Sequence, residues 1–339
     1  MRRMLSFLWV ILLCNGVVSA QQNTDATALV AGKGRDGWKN EKMEFSVAFY
    51  LKLLNSNLVA PEPLYQQIPR ERRCGLFIGI NEYKQVSKLR YAVNDAEDFR
   101  SLFTGDKYRF PSENTRTLTN RDATRESVFS SIRELDKKGA EGLLVLTFSG
   151  HGFLRETGQQ ADPFVEYLVP VDGEPSSPTS LIADTELFEK LAKTSFKHVY
   201  VFIDACFGAA PETDQKVSRT ISPQSTVQRG AGLFADALRG IRVVGSNSQP
   251  QNPVAGAPPR IVVVTAAAAN QPALELPDRE HGMFSYYLLA ALSQGQERVG
   301  LADMLGWMRS RLAADGVRQV PILEDTNGRQ IYLTGSTLR

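Results

Sequence analysis

The chain has 339 residues, of which 42% are hydrophobic and 22% charged, so it is long and apolar enough to bury a substantial core. Its formal net charge of +2 is too small to favour nucleic acid or an anionic membrane surface as a partner, and no run of like charges forms a binding tail. The partners of this protein must therefore be inferred from a specific site, and nucleic acid is not expected among them.

The first twenty residues, MRRMLSFLWVILLCNGVVSA, have the three-part pattern of a secretory signal peptide. Two arginines precede an apolar stretch from Met4 to Leu13, and small residues precede Gln21. The apolar stretch is short for a helix that spans a bilayer. We therefore expect cleavage after Ala20 and a secreted or periplasmic protein, with membrane contact only if the leader stays uncleaved.

Residues 21–71 are interpreted as an N-terminal extension or linker, which includes EKMEFSVAFYLKLLNSNL, a stretch with the spacing of an amphipathic helix. From Cys74 onward, apolar runs alternate with helical patterns. Asn94 and Thr124 are the predicted N-caps of the first two helices. The predicted strands are GLFIGINEY, GLLVLTFSGHG, HVYVFIDACF, RIVVVTAAAA and QIYLTG, and the predicted helices are NDAEDFRSLF, DATRESVFSSIRELDKKG, ADTELFEKLAKT, MFSYYLLAALSQG and ADMLGWMRSRLAA.

The strands are continuous apolar runs with no alternation of polar residues, which is typical of a mostly parallel sheet covered by helices on both faces. The predicted fold class is therefore α/β, with one domain over residues 72–339. Residues 209–259 interrupt the pattern with a connection rich in Gln, Ser, Pro and Gly. Because connections in such folds are usually a few residues long, this loop is either disordered or functional, and it is where a protease would cut.

Two predicted strands end in reactive groups. His151 lies between two glycines in TFSGHG, and Cys206 follows Asp204 in FIDACFG. Because ligands bind at the carboxyl ends of parallel strands, the imidazole and the thiol are expected to meet there. A thiol becomes a useful nucleophile when a neighbouring imidazole accepts its proton. The backbone N–H groups of Gly152 and Cys206 are the predicted oxyanion hole.

The motifs SGHG at 149–152 and IDACFG at 203–208, with YAVNDAEDFRSLF before them and HGMFSYYLLAAL after them, resemble the caspase-like cysteine peptidases, in particular their bacterial metacaspase-like and paracaspase-like branches. The resemblance implies a caspase-like three-layer sandwich, with His151 as general base and Cys206 as nucleophile. It also implies an acidic pocket for the residue before the scissile bond, formed by Asp95, Ser149 and Asp204. Two carboxylates facing a guanidinium or ammonium group favour cleavage after Arg or Lys.

The sequence departs from the metacaspase pattern after Cys206, and the only acids near the expected calcium site are Asp184, with Glu166 and Asp172. A hard cation needs six to eight oxygen ligands, so neither a metal nor another cofactor is predicted.

The remaining histidines and cysteines receive structural interpretations. His198 and His281 are interpreted as surface or capping residues, with His281 the better alternative base. Cys74 is interpreted as a core residue. Of the three cysteines, Cys14 lies in the leader and is expected to leave with it. Cys74 and Cys206 then raise the possibility of a disulfide bond in an exported protein, which would require closely matched backbone positions.

The leading hypothesis is an exported, zymogen-like cysteine endopeptidase that cleaves peptides after Arg or Lys and processes itself within residues 209–259. One alternative is a catalytically dormant scaffold with the same fold that binds a partner through its N-terminal extension. A third is a different α/β hydrolase or amidase that uses the same Cys/His pair. The oligomeric state is left open by the sequence.

Overall fold

The computed structural model describes residues 33–45, 64–156, 164–207, 217–218, 259–267, 271–294 and 299–325. The signal peptide, most of the loop 209–259, the strand QIYLTG and most of the helix expected after residue 41 lie outside the described residues. The described residues from Gly34 onward form one compact unit. Within the described ranges, no helix combines the length and the apolar character needed to cross a membrane.

A six-stranded sheet forms the centre of the fold, in the order β12-β9-β7-β3-β1-β2. All of its neighbouring strands run parallel except β12, which pairs antiparallel with β9. The two three-stranded sheets have the orders β4-β5-β6 and β11-β10-β8. The strands are β1 Arg73–Gly79, β2 Thr115–Thr119, β3 Leu143–Ser149, β4 Gly152–Glu156, β5 Phe164–Leu168, β6 Ile182–Ala183, β7 His198–Asp204, β8 Val217–Ser218, β9 Arg260–Thr265, β10 Leu274–Leu276, β11 His281–Gly282 and β12 Ile322–Asp325.

Helices follow the strands as the alternating pattern predicts. Within the described residues they are α1 Leu64–Gln67, α2 Ala92–Thr104, α3 Arg125–Lys138, α4 Asp184–Ala192, α5 Met283–Gln294 and α6 Leu301–Ala314. A 3₁₀ helix, Arg35–Asn40, precedes them. Helix α3 begins as predicted, because the Thr124 side chain accepts a hydrogen bond from Ser127 N at 3.1 Å.

The core lies in two layers, one on each face of the sheet. Alternate side chains of a strand point to opposite faces, so Val145 of β3 belongs to one apolar cluster and Leu144 and Leu146 belong to the other. Helices α2, α5 and α6 cover the first face, and α3 and α4 cover the second. The predicted three-layer α/β sandwich with a mostly parallel sheet is therefore confirmed.

The start of α2 differs from the prediction. The helix begins at Ala92, and Asn94 lies inside its first turn. Its N-terminal amides are satisfied from elsewhere: Asn81 Oδ1 accepts from Val93 N at 3.2 Å, and the Glu275 carboxylate accepts from the two amides before the helix. The expectation that Asn94 caps the helix was wrong, because side chains from other parts of the chain accept the hydrogen bonds from the amides at its start.

The two cysteines do not form a disulfide bond. Cys74 lies near the start of β1, whereas Cys206 follows the end of β7, and β3 runs between these strands. Cys74 is fully buried, which confirms its interpretation as a core residue, and burial raises the pKa of its thiol to about 12.

Candidate active site

The register of the sheet brings His151 and Cys206 side by side. Strands β3 and β7 are parallel neighbours in which Ser149 pairs with Asp204, and each reactive residue follows two positions later. The backbones approach closely there, since a Cβ atom added at Gly152 would lie 2.5 Å from the Cys206 carbonyl oxygen. Glycine is therefore required beside the histidine, as any side chain at position 152 would collide with the loop that carries the thiol.

His151 is fully buried and is oriented by the connection between β1 and α2. Its Nε2 lies 2.8 Å from the Ser87 carbonyl oxygen and 3.4 Å from Ser87 Oγ. Because a carbonyl oxygen only accepts, Nε2 carries a proton, and Nδ1 is the nitrogen that can act as a base when the ring is neutral. Tyr83 fixes the backbone, since its hydroxyl accepts from His151 N at 3.0 Å and donates to Val169 O at 3.1 Å.

Cys206 is also buried, with 1% of its surface exposed. Its Sγ donates to the Gln271 carbonyl oxygen at 2.8 Å. This contact requires the thiol form, because a thiolate has no proton to donate and would be repelled by the carbonyl oxygen. The Gln271 carbonyl therefore lies directly against the thiol, and the segment around Gln271 covers Sγ on that side.

That segment is tied to the chain before β12 by two glutamines. Gln271 Oε1 accepts from Val320 N at 2.8 Å, and Gln319 Oε1 accepts from Leu274 N at 3.3 Å. Each tie joins a side chain of one segment to a backbone amide of the other. Together they hold the carbonyl of Gln271 against the thiol.

Asp204 and Ser149, which end β7 and β3, meet at the N-terminus of α5. Asp204 Oδ2 accepts from Ser285 N at 3.1 Å and from Ser285 Oγ at 2.7 Å. The hydroxyl of Ser149 lies 3.5 Å from that of Ser285. A carboxylate is favourable at this point because the amides of the first helical turn are directed at it.

Asp95 lies one helical turn into α2 and is fully buried. Its Oδ1 accepts from His281 Nδ1 at 2.7 Å and from Gly282 N at 3.2 Å. The segment 281–285 therefore contacts Asp95 at one end and Asp204 at the other, which brings the two predicted pocket acids into one neighbourhood.

His281 differs from its interpretation as a surface or capping residue. It is fully buried, and its Nε2 lies 3.2 Å from Asp98 Oδ2. Burial alone would lower its pKa, but hydrogen bonds and charges from Asp95 and Asp98 raise the pKa to about 9. His198 is partly buried, and desolvation followed by the charges of Arg260 and Lys197 lowers its pKa to about 4.

Sequence reasoning missed several residues that support the site: Tyr83, Ser87, Gln271, His281 and Ser285. Tyr83 closes the run GLFIGINEY, which is predicted as a strand, and Ser87 lies in the connection that follows, so nothing in their spacing indicates contact with His151. Ser285 stands in HGMFSYYL, where a hydroxyl in the first turn of a helix, next to a predicted acidic pocket, was the available signal.

A parallel sheet with helices on both faces, and a cysteine and a histidine beyond neighbouring strand ends, defines a class of α/β proteins equipped for thiol-dependent acyl transfer. A family model described as the caspase domain of the C14 peptidases matches residues 72–332. The chain therefore belongs to the caspase-domain family, and the resemblance based on its motifs is confirmed. At the family level this supports a cysteine peptidase with protein or peptide substrates.

One solved structure, that of protein GSU0716 from Geobacter sulfurreducens, is similar to this chain with a TM-score of 0.52 and 21% sequence identity. The match covers 75% of this chain and 93% of the other. At that level of identity the similarity concerns the fold alone. No curated protein matches this sequence.

Proposed function

We propose that the protein is an exported cysteine endopeptidase that cleaves peptide bonds after Arg or Lys, with Cys206 as nucleophile and His151 as general base. The observation that supports this proposal is the register of β3 and β7, in which Ser149 pairs with Asp204 and each of the two residues follows two positions later along its own chain segment. We also propose that the enzyme cuts its own chain within residues 209–259, which follow the nucleophile directly.

In the proposed reaction, His151 Nδ1 takes the thiol proton and Cys206 Sγ attacks the scissile carbonyl carbon. The backbone amides of Gly152 and Cys206 are the proposed donors to the oxyanion. Collapse of the intermediate breaks the C–N bond, and His151 returns the proton to the leaving amine. Water then attacks the thioester with the same histidine as base, which releases the carboxylic acid and restores the thiol.

The preference for a basic residue rests on Asp95, Ser149 and Asp204. Both acids are buried at the same edge of the sheet as the reactive pair, and a charged guanidinium or ammonium group forms strong hydrogen bonds with carboxylates in such surroundings. An aspartate side chain would meet two like charges there, so cleavage after Asp is not expected.

The contact between Cys206 and Gln271 favours a second candidate, a dormant member of the family that acts by binding a partner. In that case the thiol remains buried and bonded to the carbonyl oxygen, and the fold serves as a scaffold. The two candidates differ in whether Cys206 ever reacts with a substrate.

The test is to incubate the purified protein and its Cys206→Ala variant, in reducing buffer, with matched peptide reporters ending in Arg, Lys or Asp. We expect cleavage of the Arg and Lys reporters by the wild type and essentially none by the variant. Intact mass and N-terminal sequencing of the same preparations report leader removal and any cut within residues 209–259.

Equal rates of reporter cleavage by the wild type and Cys206→Ala would assign the cleavage to a contaminant and rule out the peptidase proposal. A wild type that cleaves no reporter, and whose Cys206 resists a basic-residue electrophile, would instead support the dormant scaffold. Activity on small amides alone would indicate a different hydrolase that uses the same pair of residues.

A further inference from the structure

Both ring nitrogens of His281 face hydrogen-bond acceptors. Nδ1 lies 2.7 Å from Asp95 Oδ1, while Nε2 lies 3.2 Å from both Asp98 Oδ2 and the Arg35 carbonyl oxygen. Carboxylates and carbonyls only accept, so both nitrogens must donate, and the ring is an imidazolium. The raised pKa of His281, about 9, agrees with this geometry.

The second acid of this cluster is held by the N-terminal segment. Arg35 binds Asp98 in a bidentate manner, with Nε at 3.0 Å from Oδ2 and Nη2 at 2.8 Å from Oδ1. The same guanidinium contacts Glu97 Oε2 at 2.9 Å and Asn94 Oδ1 at 3.3 Å. Burial alone would raise the pKa of Asp98, but His281 and Arg35 hold it at about 2.

These contacts form a chain of alternating charges that runs from the N-terminal segment to the proposed pocket: Arg35, Asp98, His281 and Asp95. A fully buried carboxylate is costly unless it is paired and hydrogen-bonded. His281 supplies the cation for Asp95, and the adjacent Gly282 amide supplies a second donor to the same oxygen. The orientation of the Asp95 carboxylate is thereby fixed.

We propose that His281 is a positioning residue for substrate specificity, which holds Asp95 ionised and correctly oriented to receive a basic side chain. This inference rests on the proposed function, since it assigns a role within the same pocket. His281 does not touch the substrate; it acts through Asp95 and is itself held by Asp98 and the Arg35 carbonyl.

The test compares His281→Gln with the wild type, because glutamine can donate a hydrogen bond but carries no charge. We expect KM for Arg and Lys reporters to rise about tenfold, the value of roughly one charge-assisted contact, with a smaller change in kcat. Alkylation of Cys206 by iodoacetamide should keep its rate, since this small reagent carries no basic group for the proposed pocket to bind. His198→Gln is the matched control, as His198 lies at the opposite end of β7.

A pH profile separates positioning from a merely structural role. The groups that face His281 are Asp95, Asp98 and Arg35, together with Tyr286, whose ring centroid lies 6.2 Å away. Burial raises the pKa of Tyr286 and hydrogen bonding to Asp98 raises that of Arg35, so His281 is the member of this set that titrates near pH 9. KM for an Arg reporter should therefore rise as pH passes about 9 in the wild type, and this rise should be absent from His281→Gln.

Equal KM values and equal alkaline profiles for the wild type and His281→Gln would overturn the inference while leaving the peptidase assignment intact. Binding of benzamidine, an arginine-like probe, is measured by calorimetry in parallel and does not depend on turnover. If the wild type cleaves nothing but binds benzamidine more tightly than His281→Gln does, the proposed reaction fails and the positioning role stands. Equal benzamidine binding by the two proteins would overturn the positioning role as well.

Discussion

The two acids of the proposed pocket are stabilised by different means. Asp204 receives neutral donors, Ser285 N and Ser285 Oγ, at the start of α5. Asp95 receives the charged ring of His281. Both arrangements keep a buried carboxylate in place at the carboxyl edge of the sheet. Because Asp204 is one of the two acids of the proposed pocket, its charge is expected to contribute strongly to recognition of a basic side chain.

Replacement of Asp204 by Asn tests this expectation, because the side chain keeps its shape and loses its charge. A charge-assisted contact that loses one partner costs about 2 kcal/mol or more, so kcat/KM for Arg and Lys reporters should fall at least about 30-fold. Alkylation of Cys206 by iodoacetamide, which needs no pocket, should be nearly unchanged. Asp122→Asn, at an exposed position, is the control. An Asp204→Asn variant with wild-type kcat/KM would remove Asp204 from the proposed pocket.

At the scale of elements, the strands that position the site follow directly from the sequence. Runs such as LLVLTFS and HVYVFID are mainly apolar because both faces of the sheet are covered, and the polar residues at their carboxyl ends mark the edge where the proposed site lies. His151 and Cys206 could be paired on that basis. The contacts of Gln271, His281 and Arg35 could not, since they join segments far apart in the chain through single hydrogen bonds that leave no periodic pattern.

The segment around Gln271 lies against the thiol of the proposed nucleophile. Its side-chain tie to Val320 N is lost in Gln271→Ala, while the backbone carbonyl that contacts Cys206 remains. Loss of one hydrogen bond, about 1 kcal/mol, should speed alkylation of Cys206 by iodoacetamide about fivefold.

Peptide mapping assigns the label in this experiment, and Cys74 should contribute little because burial raises the pKa of its thiol to about 12. Gln66→Ala, at an exposed position, controls for a general effect of replacing glutamine. An unchanged or slower rate in Gln271→Ala would show that the tie does not restrain the segment over the nucleophile.

For the whole molecule, the N-terminal segment and the helical layer on one face of the sheet share a network of partly buried charges. Beyond the Arg35 cluster, Glu41 Oε2 accepts from Arg311 Nη2 of α6 at 2.5 Å, and Glu41 Oε1 accepts from the Tyr286 hydroxyl of α5 at 3.2 Å. Residues 35–41, placed in the N-terminal extension by sequence reasoning, thus contact α2, α5 and α6. Arg35 also reaches His281 through its carbonyl oxygen and through Asp98, and the charge of that imidazole couples folding stability to pH.

The two histidines outside the proposed Cys/His pair should change the free energy of unfolding with pH in opposite directions. His281 should lower it as pH rises above 6.5, and His198 should lower it as pH falls below 6.5. The folded-state pKa of His281 is raised from 6.5 to about 9, so its contribution is complete below pH 6.5 and is lost as pH rises toward 9. The folded-state pKa of His198 is lowered to about 4, so folding is weakened as pH falls from 6.5 toward 4. Both effects follow from the difference in bound protons between the folded and unfolded states.

Urea unfolding of the wild type, His281→Gln and His198→Gln between pH 5 and 8 measures these slopes. Between pH 7 and 8, the free energy of unfolding of the wild type should fall about 1.4 kcal/mol per pH unit more steeply than that of His281→Gln. The comparison stops at pH 8 because burial lowers the pKa of Lys107 to about 8, and that group acts in the opposite direction above it. His198→Gln should differ from the wild type only below pH 6.5. Parallel curves for the wild type and His281→Gln from pH 7 to 8 would mean that the imidazolium between Asp95 and Asp98 does not persist in solution.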